Sequence, residues 1–238
     1  MENGERIDEI IYPILKDVWG YSDFRPMQRE IIHQIMLNRD LLAILPTGGG
    51  KSICFQVPAL AKRGICIVVS PLIALIKDQV QNLKKLNIKA LSVHSGMSYR
   101  EVDIALDNAI YGNYKFLYLS PERLNTQLFR ARVSRMDVSM IVVDEAHCIS
   151  QWGYDFRPDY LTISQIKSEV ARNRRDVDSE FIPHDVPIIA LTATATEKVA
   201  DDICDRLSFA SKNIIRSGFD RPNLSYLVKQ TENKLGNL

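Results

Sequence analysis

The chain has 238 residues, of which 46% are hydrophobic and 25% charged, with a formal net charge of +1. That is the balance of an ordinary globular protein, long enough for one core to bury most of its apolar surface. A charge so near zero argues neither for nor against a nucleic-acid partner, so any such claim rests on local patches. In chain order, two amphipathic helices are expected around 7–19 and 26–37. β-rich runs follow at 41–45, 65–70, 90–93, 115–119, 140–143, 187–191 and 213–217, with helical spacing between them. The clearest helix carries Leu72, Leu75, Ile76, Val80 and Leu83 at three- and four-residue steps. This alternation predicts an α/β fold, a mostly parallel sheet with helices on both faces. Strands apolar throughout suit a sheet covered on both sides.

The polar stretch 172–186 contains Pro183 and reads as a surface loop. After 218 the pattern restarts with a strand-like run at 224–228. Residues 1–218 therefore read as one domain that includes the two leading helices, and 219–238 as a linker or the start of something further. The four cysteines, Cys54, Cys66, Cys148 and Cys204, lack the close spacing of a zinc ribbon or redox pair. No zinc is expected, and scattered cysteines fit a reducing compartment. The first residues are polar and no run of about 18 apolar residues exists. We therefore expect no signal peptide, no membrane partner and an intracellular location, in cytoplasm or nucleoid.

Chemistry concentrates where the strand 41–45 meets Pro46-Thr47-Gly48-Gly49-Gly50-Lys51-Ser52 and a helical segment. Glycines let backbone N–H groups curl around phosphate oxygens, and the helix N-terminus adds partial positive charge. Lys51 is placed to reach β- and γ-phosphates and Ser52 to ligate Mg2+. The general pattern starts with Gly where this chain has Leu45, and a glycine turn with a chance Gly-Lys-Ser is the plain alternative. A second apolar strand, 140–143, delivers Asp144 and Glu145 at its carboxyl end, where open α/β sheets place ligands. Asp144 is expected at the metal and Glu145 at the attacking water; a solvated acidic turn is the alternative.

The loop 46–52, Asp144-Glu145-Ala146-His147 and Thr192-Ala193-Thr194 resemble motifs I, II and III of superfamily 2 helicases. Gly20-Tyr21-Ser22-Asp23-Phe24-Arg25-Pro26-Met27-Gln28, the stretch from Cys148 through Gln151-Trp152-Gly153-Tyr154-Asp155-Phe156-Arg157 to Pro158, and Phe219-Asp220-Arg221-Pro222-Asn223-Leu224 narrow this. They are similar to the RecQ family of ATP-dependent DNA helicases, whose members act in DNA repair and recombination. The resemblance covers essentially the whole chain. It implies a RecA-like P-loop domain, the first of two motor domains, using ATP and Mg2+ and tracking single-stranded or partly duplex DNA with 3'–5' type unwinding.

Residue by residue, it implies that Gln28 reads adenine between Tyr21 and Arg25, and that Thr47, Gly48, Gly49, Gly50, Lys51 and Ser52 cradle phosphate. It makes Lys51, Asp144 and Glu145 catalytic, with Ser52 and Asp144 at the metal. Trp152, Phe156, Arg157, Ser70, Ser120 and Arg123 would contact nucleic acid, while Thr192, Thr194, His147 and Gln151 would couple the two sites. For Ser70 and Ser120 the alternative is N-capping before a proline. For Trp152 and Phe156 it is a packed loop. For the run Arg123, Arg130, Arg132 and Arg135 a solvated face is the safer reading. The family usually has His where this chain has Tyr154. The second motor domain, with its charge-stabilising arginine, is not recognisable here, so slow hydrolysis and no unwinding are expected of this chain alone. An ATP-gated binding module without turnover is the alternative.

Overall fold

The computed structural model describes residues 2–152, 155–175 and 186–218. Two helices lead, α1 (Glu2–Trp19) and α2 (Gln28–Met36). Ile7, Ile11 and Leu15 recur every four residues along one face of α1, and they form a small core with Ile32 of α2 and Val57. The sheet strands are β1 (Leu41–Ile44), β2 (Ile65–Val69), β3 (Ala90–Val93), β4 (Phe116–Leu119), β5 (Val138–Val143), β6 (Ile188–Thr192) and β7 (Ile214–Arg216). Between them run α3 (Lys51–Ala61), α4 (Ile73–Lys85), α5 (Tyr99–Tyr111), α6 (Gln127–Val133), α7 (Ile163–Arg175) and α8 (Glu197–Arg206). Single 3-10 turns occupy Pro121–Asn125, Ala146–Ile149 and Pro158–Thr162.

All seven expected strands form one sheet, ordered β3-β4-β2-β5-β6-β1-β7. Every neighbouring pair is parallel. Alternate side chains of a strand point to opposite faces. Leu42 and Ile44 thus join the core under α5 to α8, while Leu41 and Ala43 join the core under α2, α3 and α4. Both faces are covered, and this is why strands such as β1 and β2 are buried at every position.

The expected loop at 172–186 is corrected at both ends. Ile163, Ile166 and Val170 lie buried at helical spacing. They anchor α7, and the helix propagates through Arg175 because Ala and Arg are good helix formers. At the other end, Val186 is fully buried at the approach to β6. Residues 176–185 and the strand-like run at 224–228 lie outside the described residues.

One buried acid ties the amino edge of the sheet together. Asp40, just before β1, accepts hydrogen bonds from Lys167 Nζ of α7 at 2.6 and 2.8 Å. It also accepts from the Ile188 N–H at 2.8 Å and the Ala210 N–H at 3.4 Å. Chain segments more than a hundred residues apart meet on this one carboxylate.

Candidate active site

Sheet order decides what can meet. β5, β6 and β1 are adjacent, so their carboxyl ends place Asp144 and Glu145, Thr192, and the loop 45–50 side by side. β2 and β4 extend the same edge with Ser70 and Ser120.

The loop after β1 has the shape its glycines allow. Gly48 and Gly50 have φ of 78° and 76°, values that residues with a Cβ rarely adopt. A Cβ on Gly50 would collide with the Gln28 amide nitrogen. Gln28 is buried, and its amide donates to the Gly50 carbonyl at 3.0 Å and accepts from the Arg25 N–H at 2.8 Å. An amide has two donor hydrogens and two lone pairs, so one of each is left over. Arg25 donates to the Gly48 carbonyl at 2.5 Å. Tyr21 is 54% exposed. Lys51 donates to the Leu45 carbonyl at 3.4 Å. Thr47 is exposed and Ser52 half-buried at the start of α3.

At the end of β5, Asp144 accepts from the Ser70 hydroxyl at 3.2 Å and from the Glu145 N–H at 3.0 Å. Burial, then repulsion from Glu145, raises its carboxyl above the usual range. Glu145 itself sits in the left-handed region, φ 49° and ψ 47°, a conformation that costs about 1–3 kcal/mol for a residue with a side chain. Its carboxyl is held low, first by its hydrogen bond with His147. His147 Nδ1 lies 3.3 Å from that carboxylate and 3.1 Å from Thr192 Oγ1. Contact with Cys148 and with Glu145 pushes the His147 pKa up to about 10. Nδ1, with its single hydrogen, thus faces both the Glu145 carboxylate and the Thr192 hydroxyl. The Thr192 hydroxyl, fully buried, donates onward to the Thr194 carbonyl at 3.2 Å and accepts from the Thr194 N–H at 3.3 Å. His147 and Thr192 thus bridge β5 to β6, and Thr194 is exposed beyond them.

A pH dependence follows. The His147 pKa is raised above its ordinary 6.5 to about 10, so the folded chain holds a proton that the unfolded chain releases. This contribution to stability is complete below about 6.5 and is lost as pH rises toward about 10. Melting temperatures from pH 6.5 to 10 are expected to fall less steeply for His147→Gln than for the unmodified chain. Parallel curves would show that His147 is not the group that titrates.

The donors available to a metal are oxygens, the Ser52 hydroxyl and the Asp144 carboxylate. Hard oxygen donors suit Mg2+, which keeps waters and takes one or two protein ligands beside phosphate oxygens. Among the described residues no three His, Cys, Asp or Glu side chains cluster to hold a metal, so a dedicated protein cage is not what the site offers. The extra negative charge where Asp144 and Glu145 adjoin favours a cation.

The candidates for nucleic-acid contact divide. Trp152 is 63% exposed. Phe156 is half-buried and Gln151 exposed. Arg157 pairs with Asp155 at 3.0 Å and donates to the Pro71 carbonyl at 3.4 Å. Ser70 and Ser120 are buried, and their hydroxyls turn inward, to Asp144 and to Glu122 at 2.6 Å. Neither acts as a side-chain cap, since α4 begins after Leu72 and the turn after Ser120 has no side-chain cap bond. Each member of the arginine run has a partner within the chain. Arg123 donates to the His94 carbonyl, Arg130 pairs with Glu169, Arg132 with Asp103 and Asp107, and Arg135 with the Tyr111 hydroxyl.

Several residues went unnoticed in the sequence. Tyr160, fully buried, donates from its hydroxyl to the Asp144 carbonyl at 3.3 Å. Lys198, Asp202 and Arg206 of α8 contact Trp152, Ser150 and Phe156 of the segment after the 146–149 turn, the aromatic loop, and their four-residue spacing was the available signal. Gly153, Tyr154 and the motif at 219–224 lie outside the described residues.

This sheet, with a glycine loop and paired acids on the strand ends either side of β6, is that of a RecA-like helicase domain. The chain belongs to the DEAD/DEAH box helicase family, whose model matches residues 25–203. It is 44% identical over 223 residues to the ATP-dependent DNA helicase RecQ of Bacillus subtilis (strain 168), covering 93% of this chain and 36% of that protein. It is 41% identical over 215 residues to the ATP-dependent DNA helicase RecQ of Pasteurella multocida, covering 90% of this chain and 32% of that one. The chain thus spans about a third of the length of these relatives. Its fold is shared with the Pyrococcus furiosus Hef helicase domain at a TM-score of 0.63 and 22% identity, over 87% of this chain and 40% of the other. Among the described residues no helix is long and apolar enough to cross a membrane.

Proposed function

We propose that this chain is the first motor domain of a RecQ-type, ATP-dependent DNA helicase, spanning residues 1–218, with 219–238 leading toward a second motor domain. The observation that carries this is the meeting of the glycine loop, Asp144, Glu145 and Thr192 on three adjacent strand ends. The loop 47–50 and Lys51 hold the phosphates of ATP, while Tyr21, Arg25 and Gln28 receive the adenine. Arg25, Gln28 and Lys51 now bond carbonyls of the loop itself, so nucleotide entry exchanges these bonds for bonds to ligand. Ser52 and Asp144 hold Mg2+, which supplies charge neutralisation at the phosphates. Glu145, kept ionised by His147, orients and deprotonates the attacking water.

Trp152 and Phe156 stack on bases of single-stranded DNA and Arg157 meets its backbone. Exposed Trp152 and Gln151 favour this over a packed loop. Ser70, Ser120 and Arg123 then act more through the carboxyl edge they brace than through direct contact. His147 and Thr192 link the turn that carries Glu145 to β6, and the aromatic loop begins a few residues farther along the same turn. DNA contact thereby reaches the acid. Intracellular action on DNA fits this reading, as does the likeness to ATP-dependent DNA helicases. Unwinding is proposed for a chain of the relatives' full length, and slow ATP hydrolysis for this one.

Single-turnover ATP hydrolysis, with and without single-stranded DNA, tests the proposal. Glu145→Gln is expected to lower the rate by about 10²–10⁴, the usual worth of a positioned general base. Equal rates for the two chains would instead favour an ATP-gated nucleic-acid binder without turnover.

A further inference from the structure

Lys198, Asp202 and Arg206 have no part in the reading above. Spaced four apart, they form one line along α8. Val199, Ala200, Ile203 and Cys204 bury another side of the helix in the core. Each member of the polar line meets the aromatic loop. Lys198 Nζ stands 3.2 Å from the centroid of the Trp152 ring. Asp202 accepts a 2.7 Å hydrogen bond from the Ser150 hydroxyl, and that same oxygen accepts from the Trp152 N–H at 3.2 Å. The Arg206 guanidinium lies 5.6 Å from the Phe156 centroid, with its Nε 2.8 Å from Asp202.

The contacts differ in kind. Ser150 is fully buried, while Trp152 is 63% exposed, so the backbone is anchored and the ring remains reachable. An ammonium over a ring face occupies the place a base would take. At an exposed ring a cation–π contact is weaker than base stacking, so a base displaces the ammonium at a modest cost in affinity. α8 also begins just beyond Thr194, whose backbone is bonded to the Thr192 hydroxyl that meets His147. The helix and the turn carrying Glu145 are therefore braced from the same strand end.

We propose that the Lys198–Asp202–Arg206 line of α8 is a seat for the aromatic loop, covering its rings with cations until bases displace Lys198 from Trp152. The displacement rests on the proposed role of Trp152 as a base-stacking residue; the seat itself does not. Asp202 and Ser150 are positioning residues that fix the backbone at Trp152, and Lys198 competes with the base.

The test uses the 238-residue chain with Trp19→Phe, which leaves Trp152 as the sole tryptophan of the original two. Without nucleic acid, Lys198→Met and Asp202→Asn are each expected to lower the fluorescence anisotropy of Trp152 and to increase its quenching by acrylamide. Circular dichroism melts check that both variants stay folded. If neither variant moves the Trp152 signal, the seat is overturned, whatever happens with DNA. With labelled oligothymidylate, Lys198→Met is expected to bind about two- to five-fold tighter, and this gain is expected to vanish in a Trp152→Leu chain. Weaker binding by the same factor in both backgrounds would make Lys198 a phosphate contact and overturn the competition. A Trp152→Leu chain that binds oligothymidylate as tightly as its parent would end the stacking role and with it the displacement. The seat would then stand or fall on the DNA-free signal.

Discussion

Lys51→Ala is expected to weaken ATP binding by about 100-fold or more while leaving the fold intact. Two charge-assisted hydrogen bonds from this ammonium to phosphate oxygens, at about 1.5–3 kcal/mol each, amount to at least that factor. Its bond to the Leu45 carbonyl is long, at 3.4 Å, and the side chain is half-buried rather than part of either core. Backbone conformation in the loop comes from Gly48 and Gly50, which the substitution leaves in place. Titration with a fluorescent ATP analogue measures the affinity, and a circular dichroism melt checks the fold. An unchanged affinity would contradict the assignment of the loop as a phosphate cradle.

Asp40→Ala is expected to lower stability by about 3–5 kcal/mol, the range for removing one partner of a buried ion pair. The substitution leaves the Lys167 ammonium, 18% exposed at its side chain, without its partner, and leaves the Ile188 N–H without its acceptor. In a chain of this size the loss corresponds to a fall in melting temperature of roughly 6–20 °C. Asp40→Asn keeps an acceptor for Ile188 but not the charge, so it is expected to fall between the two. Urea denaturation of the three chains measures this. If Asp40→Ala unfolds at the same denaturant concentration as the unmodified chain, the carboxylate does not hold β1, α7 and the start of β6 together. Asp40 lies at the opposite edge of the sheet from the candidate site, so this loss is expected to be one of stability rather than of nucleotide affinity at a temperature where the variant is folded.

The strands were legible because each is a short apolar run bounded by polar or turn residues, and a sheet covered on both faces demands such runs. The phosphate loop was legible for a more local reason. Its conformation depends on consecutive residues, and three glycines before Lys51 are enough to specify it. The α7 boundary was not legible. Polarity at 172–175 resembles loop composition, but a helix anchored at Ile163, Ile166 and Val170 continues wherever nothing stops it. The partners of the arginine run were likewise not legible. Asp103, Asp107 and Glu169 come from α5 and α7, and no spacing within the run announces them. Ser70 and Ser120 occupy the strand ends expected of them, yet their hydroxyls face Asp144 and Glu122, because the nearest polar atoms at a buried strand end are those of the fold itself.

By itself, the amino-acid sequence determined the elements, the sheet's parallel character and the chemistry at three strand ends, since periodicity, glycine content and paired acids are all properties of neighbouring residues. Only the tertiary structure decided which of these meet. The order β3-β4-β2-β5-β6-β1-β7 places β6 between β5 and β1, so that His147 reaches Thr192 and α8 lies against the aromatic loop. Strand order follows from how the helices pack on the two faces, a balance over the whole chain that local spacing does not carry.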